Sequence, residues 1–204
     1  MHANKDTANR ILNCAQSLMV ERGYNAFSYA DIAALVHISK ATIHHHFPTK
    51  SLLARDVLTR YRENVRVLMN SMKGVVPDPL GRLKAYASFW ETCIRDNSTP
   101  FCVCALLAAE IPTLPDEVSA EVRGHFRELA RWLATIMEEG KEQGVLRLES
   151  PATVEAESFM AAIHGAMLAS RAYGDWAVFA SVAREAIRRL TPAVTNDGHL
   201  VLQA

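Results

Sequence analysis

Glycine is scarce in this chain, nine in 204 residues, and it never falls in the spacings that cradle a phosphate or raise a nucleophilic serine. No Gly-x-x-x-x-Gly-Lys and no Gly-x-Ser-x-Gly occurs, and no two histidines stand three or four residues apart as helical metal ligands would. These absences argue against an enzyme. Cysteine is scarce too. Cys14, Cys93, Cys102 and Cys104 lie in apolar surroundings and make no Cys-x-x-Cys pair, so neither a zinc module nor a disulfide framework is expected, and the thiols are read as reduced. The longest apolar-leaning run, residues 159–169, contains His164 and is too short to cross a bilayer. No basic, apolar, small-residue leader opens the sequence. The expectation is a soluble cytoplasmic protein with no membrane partner, no cofactor and no metal.

Net charge is also missing, with 22 basic and 22 acidic residues, but the balance is uneven along the chain. Residues 1–66 carry nine Lys or Arg against five Asp or Glu, and the remainder carries thirteen against seventeen. A basic end on an acidic body is what a DNA-contacting module on a non-contacting body would show.

What is present is helical periodicity. Ile11, Ala15, Leu18 and Met19 predict a first helix over about 6–22, stopped at Gly23. Ser28-Tyr29-Ala30-Asp31 reads as a capping box opening a short helix to about residue 36, with Ile32, Ala33 and Val36 inside. Ser39 can cap a third helix that ends at Phe47, because Pro48 disfavours helical geometry before it. Thr49 caps a long fourth helix. Pro77 and Pro79 then separate a small N-terminal unit from a larger body. Two short helices joined by the tight turn Val36-His37-Ile38-Ser39 have the spacing of a helix-turn-helix, with the third as recognition helix. Ile43 and Phe47 share its inner stripe, and Lys40, Thr42, His44 and His45 fall outside it. Consecutive positions fan outward, so His44, His45 and His46 cannot converge on one ion.

The stretch "FSYADIAALVHISKATIHHHFPTKSLL" resembles the N-terminal signature of the TetR family of transcriptional regulators, over about residues 8–58. Ser28, Asp31-Ile32-Ala33, Ser39-Lys40, Thr42, Phe47-Pro48 and Lys50 fall in register, while Ala41 replaces a usual glycine and His44 and His46 replace frequent tyrosines. The resemblance implies a one-component repressor that binds double-stranded operator DNA as a homodimer and is released by an effector. The DNA-contacting set read here is Tyr29, Lys40, Thr42, His44, His45 and Lys50, with Lys50 and Tyr29 placed at phosphates.

The fold class expected is all-α: a three-helix helix-turn-helix domain over 1–50, a linking helix over 50–74, and a helical ligand-binding and dimerisation domain over 75–191, about nine helices in all. Residues 192–204 are expected to be a mobile tail. In the body, Phe89, Trp90, Cys93, Cys102, Phe126 and His164 are the candidate effector contacts, with His125 read as a core histidine. "FCVCALLAAEIPTLPDEV" places a short helix after Pro100 and a long one, capped by Asp116, to about Gly144. It resembles a subgroup of the same family whose cysteine senses electrophiles, which maps onto Cys102 as a partly exposed thiol in the first helical turn. The small-residue stripe of Ala161, Gly165 and Ala169 and the apolar face of Phe179, Ala183 and Ile187 are the candidate dimer interface. The competing reading is a helical ligand-binding or scaffolding protein without sequence-specific DNA binding.

Overall fold

The structure, a computed structural model, describes residues 2–97 and 101–192. Over them the chain forms α1 (His2–Arg22), α2 (Tyr29–Val36), α3 (Lys40–His46), α4 (Lys50–Val75) and α5 (Pro79–Arg95). α6 (Val103–Leu107), a 3-10 segment (Ala108–Thr113), α7 (Asp116–Glu142), α8 (Ala152–Tyr173) and α9 (Trp176–Leu190) follow. The all-α expectation holds. The tail expected from residue 192 lies outside the described residues except for Pro192, as does Pro100.

The chain divides into two compact units, one of residues 1–67 with 100–126 and one of 68–99 with 127–204. The first unit takes in α6 and the 3-10 segment, which lie within the body expected over 75–191. The cause is local. Ile11, Ala15, Leu18 and Met19 of α1 are buried as expected, and α1 stops at Gly23, whose φ of +80° lies in the region that favours glycine. The turn that follows leaves the Tyr24 and Asn25 amides without helical partners, and Glu110 from the 3-10 segment accepts both, at 3.0 and 3.2 Å. Asn25 Nδ2 donates to the same carboxylate at 3.0 Å. Elsewhere in this unit Arg62 pairs with Glu121. A Cβ at Gly124 would lie 2.6 Å from the Arg62 guanidinium, so the absence of a side chain there makes room for the ion pair.

In the second unit Asp78 caps α5 by accepting the Gly81 amide, and Pro79 sits in the first turn where its missing N–H costs nothing. Arg82, 3% exposed, and the exposed Lys73 share the carboxylate of Glu139. That pairing is what permits a buried guanidinium. Tyr86 lies 5.9 Å from the Trp132 ring and 6.4 Å from Phe159. α8 and α9 form a packed hairpin, with Gly174 at φ +66° closing α8 and Asp175 accepting the Ala177 amide at 2.9 Å to open α9. Phe179, fully buried, anchors α9, and a side chain of this size contributes about 1.5–3 kcal/mol by leaving water. Asp116, expected to cap α7, is its first residue instead, and Pro115 supplies the carbonyl that accepts the Ser119 amide at 2.9 Å.

Candidate nucleic-acid interface and buried thiols

The recognition surface is built by two caps and one apolar seam. Ser28 Oγ accepts the Ala30 amide, and the Asp31 carboxylate accepts the Ser28 amide at 2.8 Å, which completes the expected capping box. α2 ends at His37 in left-handed geometry (φ 57°, ψ 51°), and the Arg10 guanidinium donates to the Val36 carbonyl at 2.7 Å, meeting an end-of-helix acceptor with a cation. Ser39 then caps α3 by accepting the Thr42 amide at 3.1 Å. Ile32, Val36, Ile43 and Phe47 are buried. Lys40, His44 and His45 are exposed and Thr42 is half-buried, so the outward set reads as its helical phase predicts. His46 is half-buried beside Phe47, with ring centroids 6.2 Å apart.

Two members of the expected phosphate-contacting set turn inward. Tyr29 is buried and its hydroxyl donates to the Phe47 carbonyl at 2.7 Å, so the proton assigned to a phosphate is used inside the fold. Burial pushes its phenol up to about 12. Lys50 donates to the Phe27 carbonyl, with its ammonium 4.7 Å from the Tyr24 ring centroid and 4.4 Å from that of Phe27. Desolvation lowers its pKa, and the Glu110 and Asp31 carboxylates oppose that shift. Both residues hold α2, α3 and the start of α4 together. Neither presents its polar tip to solvent as a phosphate contact would.

The thiols also depart from expectation. Cys102 is 1% exposed rather than partly exposed, and α6, which it precedes, is only five residues long, too short for a helix dipole to favour thiolate. An imidazole stands beside the sulfur instead: Cys102 Sγ lies 3.4 Å from His125 Nε2. The His125 ring packs 5.4 Å from Tyr61 and 6.0 Å from Phe126. Cys104 is fully buried beside Cys102, and burial first, then its hydrogen bond to Cys102, pushes its thiol well above the ordinary range. A neighbouring base can take the proton of a thiol, which a purely apolar pocket cannot. Sequence reading missed this pairing because 23 residues separate the partners.

The remaining candidates separate by exposure. In the second unit Trp90, Cys93 and His164 are buried, whereas Phe89 is 41% exposed and packs edge-on to Trp90 with centroids 5.1 Å apart, so it lines no interior. In the first unit Phe126 is half-buried. Among the expected dimer residues Ala161 and Gly165 are exposed, Ala169 and Ile187 are half-buried, and Phe179 and Ala183 are buried within their own unit. The last two are corrected: α9 turns them onto its own core, and Val182 and Trp176 occupy its outer side. A groove of about 1100 Å³ runs along α8 and α9 past Ser158, Val182 and Glu185.

A family model for bacterial regulatory proteins of the tetR family matches residues 11–57, and one for the tetracyclin repressor-like C-terminal domain matches 79–186. The chain belongs to the TetR family. A TetR-family transcriptional regulator from Agrobacterium tumefaciens is 48% identical over 92% of this chain and 99% of that one, with a TM-score of 0.90. The HTH-type transcriptional repressor DhaR from Mycobacterium sp. (strain GP1) is 24% identical, covering 88% of this chain and 91% of its own length. The repressor NemR of Escherichia coli is 21% identical over 83% of this chain and 86% of its own length. The structure of NemR in its reduced form shares the fold, with a TM-score of 0.79. This TetR-family chain is therefore a transcriptional regulator that acts by binding DNA and is not an enzyme. Among the described residues no helix is long and apolar enough to cross a membrane.

Proposed function

We propose that this chain is a homodimeric, cytoplasmic repressor whose α3 enters the major groove of a two-fold operator. Lys40, Thr42, His44 and His45 would meet the DNA. The observation that carries this reading is the division of α3 into a buried seam, Ile43 with Phe47, and an outward polar face of four potential contacts. Lys40 supplies charge for phosphates, and the histidines and Thr42 supply the short, flat hydrogen-bonding groups that base edges take. Pairing through the exposed parts of α8 and α9 would bring two copies of the chain to one two-fold operator.

Release is assigned to a small-molecule effector or to covalent modification of Cys102. The thiol route is favoured by the imidazole of His125 beside the sulfur, and among the similar proteins NemR has a structure described as the reduced form. Either event can release DNA only through a difference in affinity for the bound and released conformations.

Selection of bound fragments from a random DNA pool, followed by gel shifts with Thr42→Ala and His45→Ala, tests the reading. A two-fold motif whose base preferences change in the variants is expected. Binding that is unaltered in both variants would remove α3 from the interface.

A further inference from the structure

We infer that His44 determines operator specificity as a hydrogen-bond acceptor, reading the exocyclic amino group of an adenine or a cytosine through Nε2. This rests on the reading of α3 as the helix that enters the groove.

The argument begins with what fixes the ring. His44 is exposed, yet it is held on two sides. Its ring lies 4.7 Å from that of Tyr29 at 61°, and Tyr29 is itself tied by its hydroxyl to the Phe47 carbonyl. On the other side Nδ1 lies 3.3 Å from the Pro48 carbonyl oxygen. A carbonyl oxygen only accepts, so the shared proton sits on Nδ1. A neutral imidazole carries one N–H, and when Nδ1 holds it Nε2 presents a lone pair. Nε2 is also the nitrogen farther from the helix backbone. The group nearest the groove is thus an acceptor.

That assignment decides which partners fit. In the major groove adenine presents N6–H2 and cytosine N4–H2 as donors, while guanine N7 and O6 and thymine O4 are acceptors. A bare Nε2 is drawn to the first pair and faces lone pairs on the second. Phosphate oxygens are acceptors too, so neutral His44 is a poor backbone contact and a discriminating base contact. His45 lacks the Pro48 tether and packs edge-on to His46 at 5.5 Å, so its ring is not assigned to one tautomer. Of the consecutive histidines, His44 is the one whose polarity the fold sets.

A single neutral hydrogen bond made or lost corresponds to roughly a five- to tenfold change in affinity. The test uses the operator duplex selected with the wild type, measured at pH 8 with every base pair varied in turn. His44→Asn keeps a donor near the Nδ1 position for Pro48 and deletes Nε2, and a thermal melt confirms that it folds. The wild type should show one position with about a five- to tenfold preference for adenine or cytosine, and His44→Asn should lose it. If that base is adenine, purine in its place, lacking the amino group, should weaken the wild type by the same factor and leave His44→Asn unaffected. An amino-base preference that survives in His44→Asn overturns the inference. A His44-dependent preference for guanine or thymine overturns it as well, since Nε2 would then be donating. If Lys40→Ala, Thr42→Ala and His45→Ala also leave operator binding unchanged, the placement of α3 fails. If they alter it while His44→Asn does not, only the role of His44 fails.

Discussion

Glu110 Oε1 accepts the Tyr24 amide at 3.0 Å, in a turn where a Cβ on Gly23 would lie 2.1 Å from that same oxygen. The carboxylate thus replaces the helical partners that α1 loses when it ends. Glu110→Ala leaves two amides without this acceptor and should lower the unfolding free energy by about 2–3 kcal/mol, as charge-assisted bonds do. Gly23→Ala should also destabilise, through its positive φ and the collision with Glu110. Urea unfolding of both variants gives the values, and midpoints equal to the wild type would show that the clasp does not form in solution.

Lys40 and Lys50 should respond in opposite ways. Lys40 is exposed on α3, so Lys40→Ala should reduce the slope of log affinity against log salt by about one unit. Lys50 is bound to the Phe27 carbonyl between two rings. Lys50→Ala should leave the salt slope in place and lower stability by about 1–2 kcal/mol instead. Gel shifts at several salt concentrations and a denaturant titration separate the two effects.

The capping box carries a pH signature. The Ser28 hydroxyl first, and then its backbone N–H, hold the Asp31 carboxyl below the usual range. A depressed carboxylate stabilises the fold above its unfolded pKa and ceases to do so as pH falls through the folded one. Ser28→Ala should therefore be less stable than the wild type near neutrality, and the gap should narrow below about pH 4. A gap that stays constant into acid would place the cost elsewhere.

How much of this unit could be read in advance follows from separation along the chain. Ser28 and Asp31 stand three residues apart, and helical phase alone places Ile43 inside and His45 outside. Tyr29 and Lys50 were harder. Each opens a helix, and whether its long side chain bends inward depends on a carbonyl, Phe47 or Phe27, 18 or 23 residues away. Glu110 reaches Tyr24 across 86 residues. On α9 the apolar face was legible, but the share of it that α9 buries against its own unit was not. Phase cannot tell an intramolecular core from a partner.

The thiols should differ in reactivity despite equal burial. His125 stands at hydrogen-bonding distance from Cys102, whereas burial raises the Cys104 pKa well above the ordinary thiol range. Iodoacetamide at pH 8 should label Cys102 ahead of Cys104, and His125→Phe should slow the Cys102 adduct roughly tenfold or more. Mass spectrometry of the digested protein reads this out. The raised Cys104 pKa also sets an alkaline limit: its contribution is intact below the unfolded thiol pKa near 9 and fades as pH rises above it, and Cys104→Ala should lack that fade.

The interface can be tested where the monomer is indifferent. Gly165 is exposed on α8 and a Cβ there would meet nothing within 4 Å. Gly165→Leu should keep or raise the stability of the folded chain, since leucine is the better helix former by nearly 1 kcal/mol. It should shift the molecule toward monomer in sedimentation equilibrium if a second α8 packs closely there. An unchanged dimer would move the contact off the small-residue stripe.

The room that Gly124 leaves for Arg62 ties two distant positions of the sequence into one inheritance unit. A side chain at 124 would push the guanidinium from its present place and disturb its pairing with Glu121, now at 2.5 Å and one turn from His125. With a short residue at 62, glycine at 124 loses its purpose and becomes a weak point in a long helix. The two positions are thus coupled through sterics, and a change at one alters what a change at the other costs.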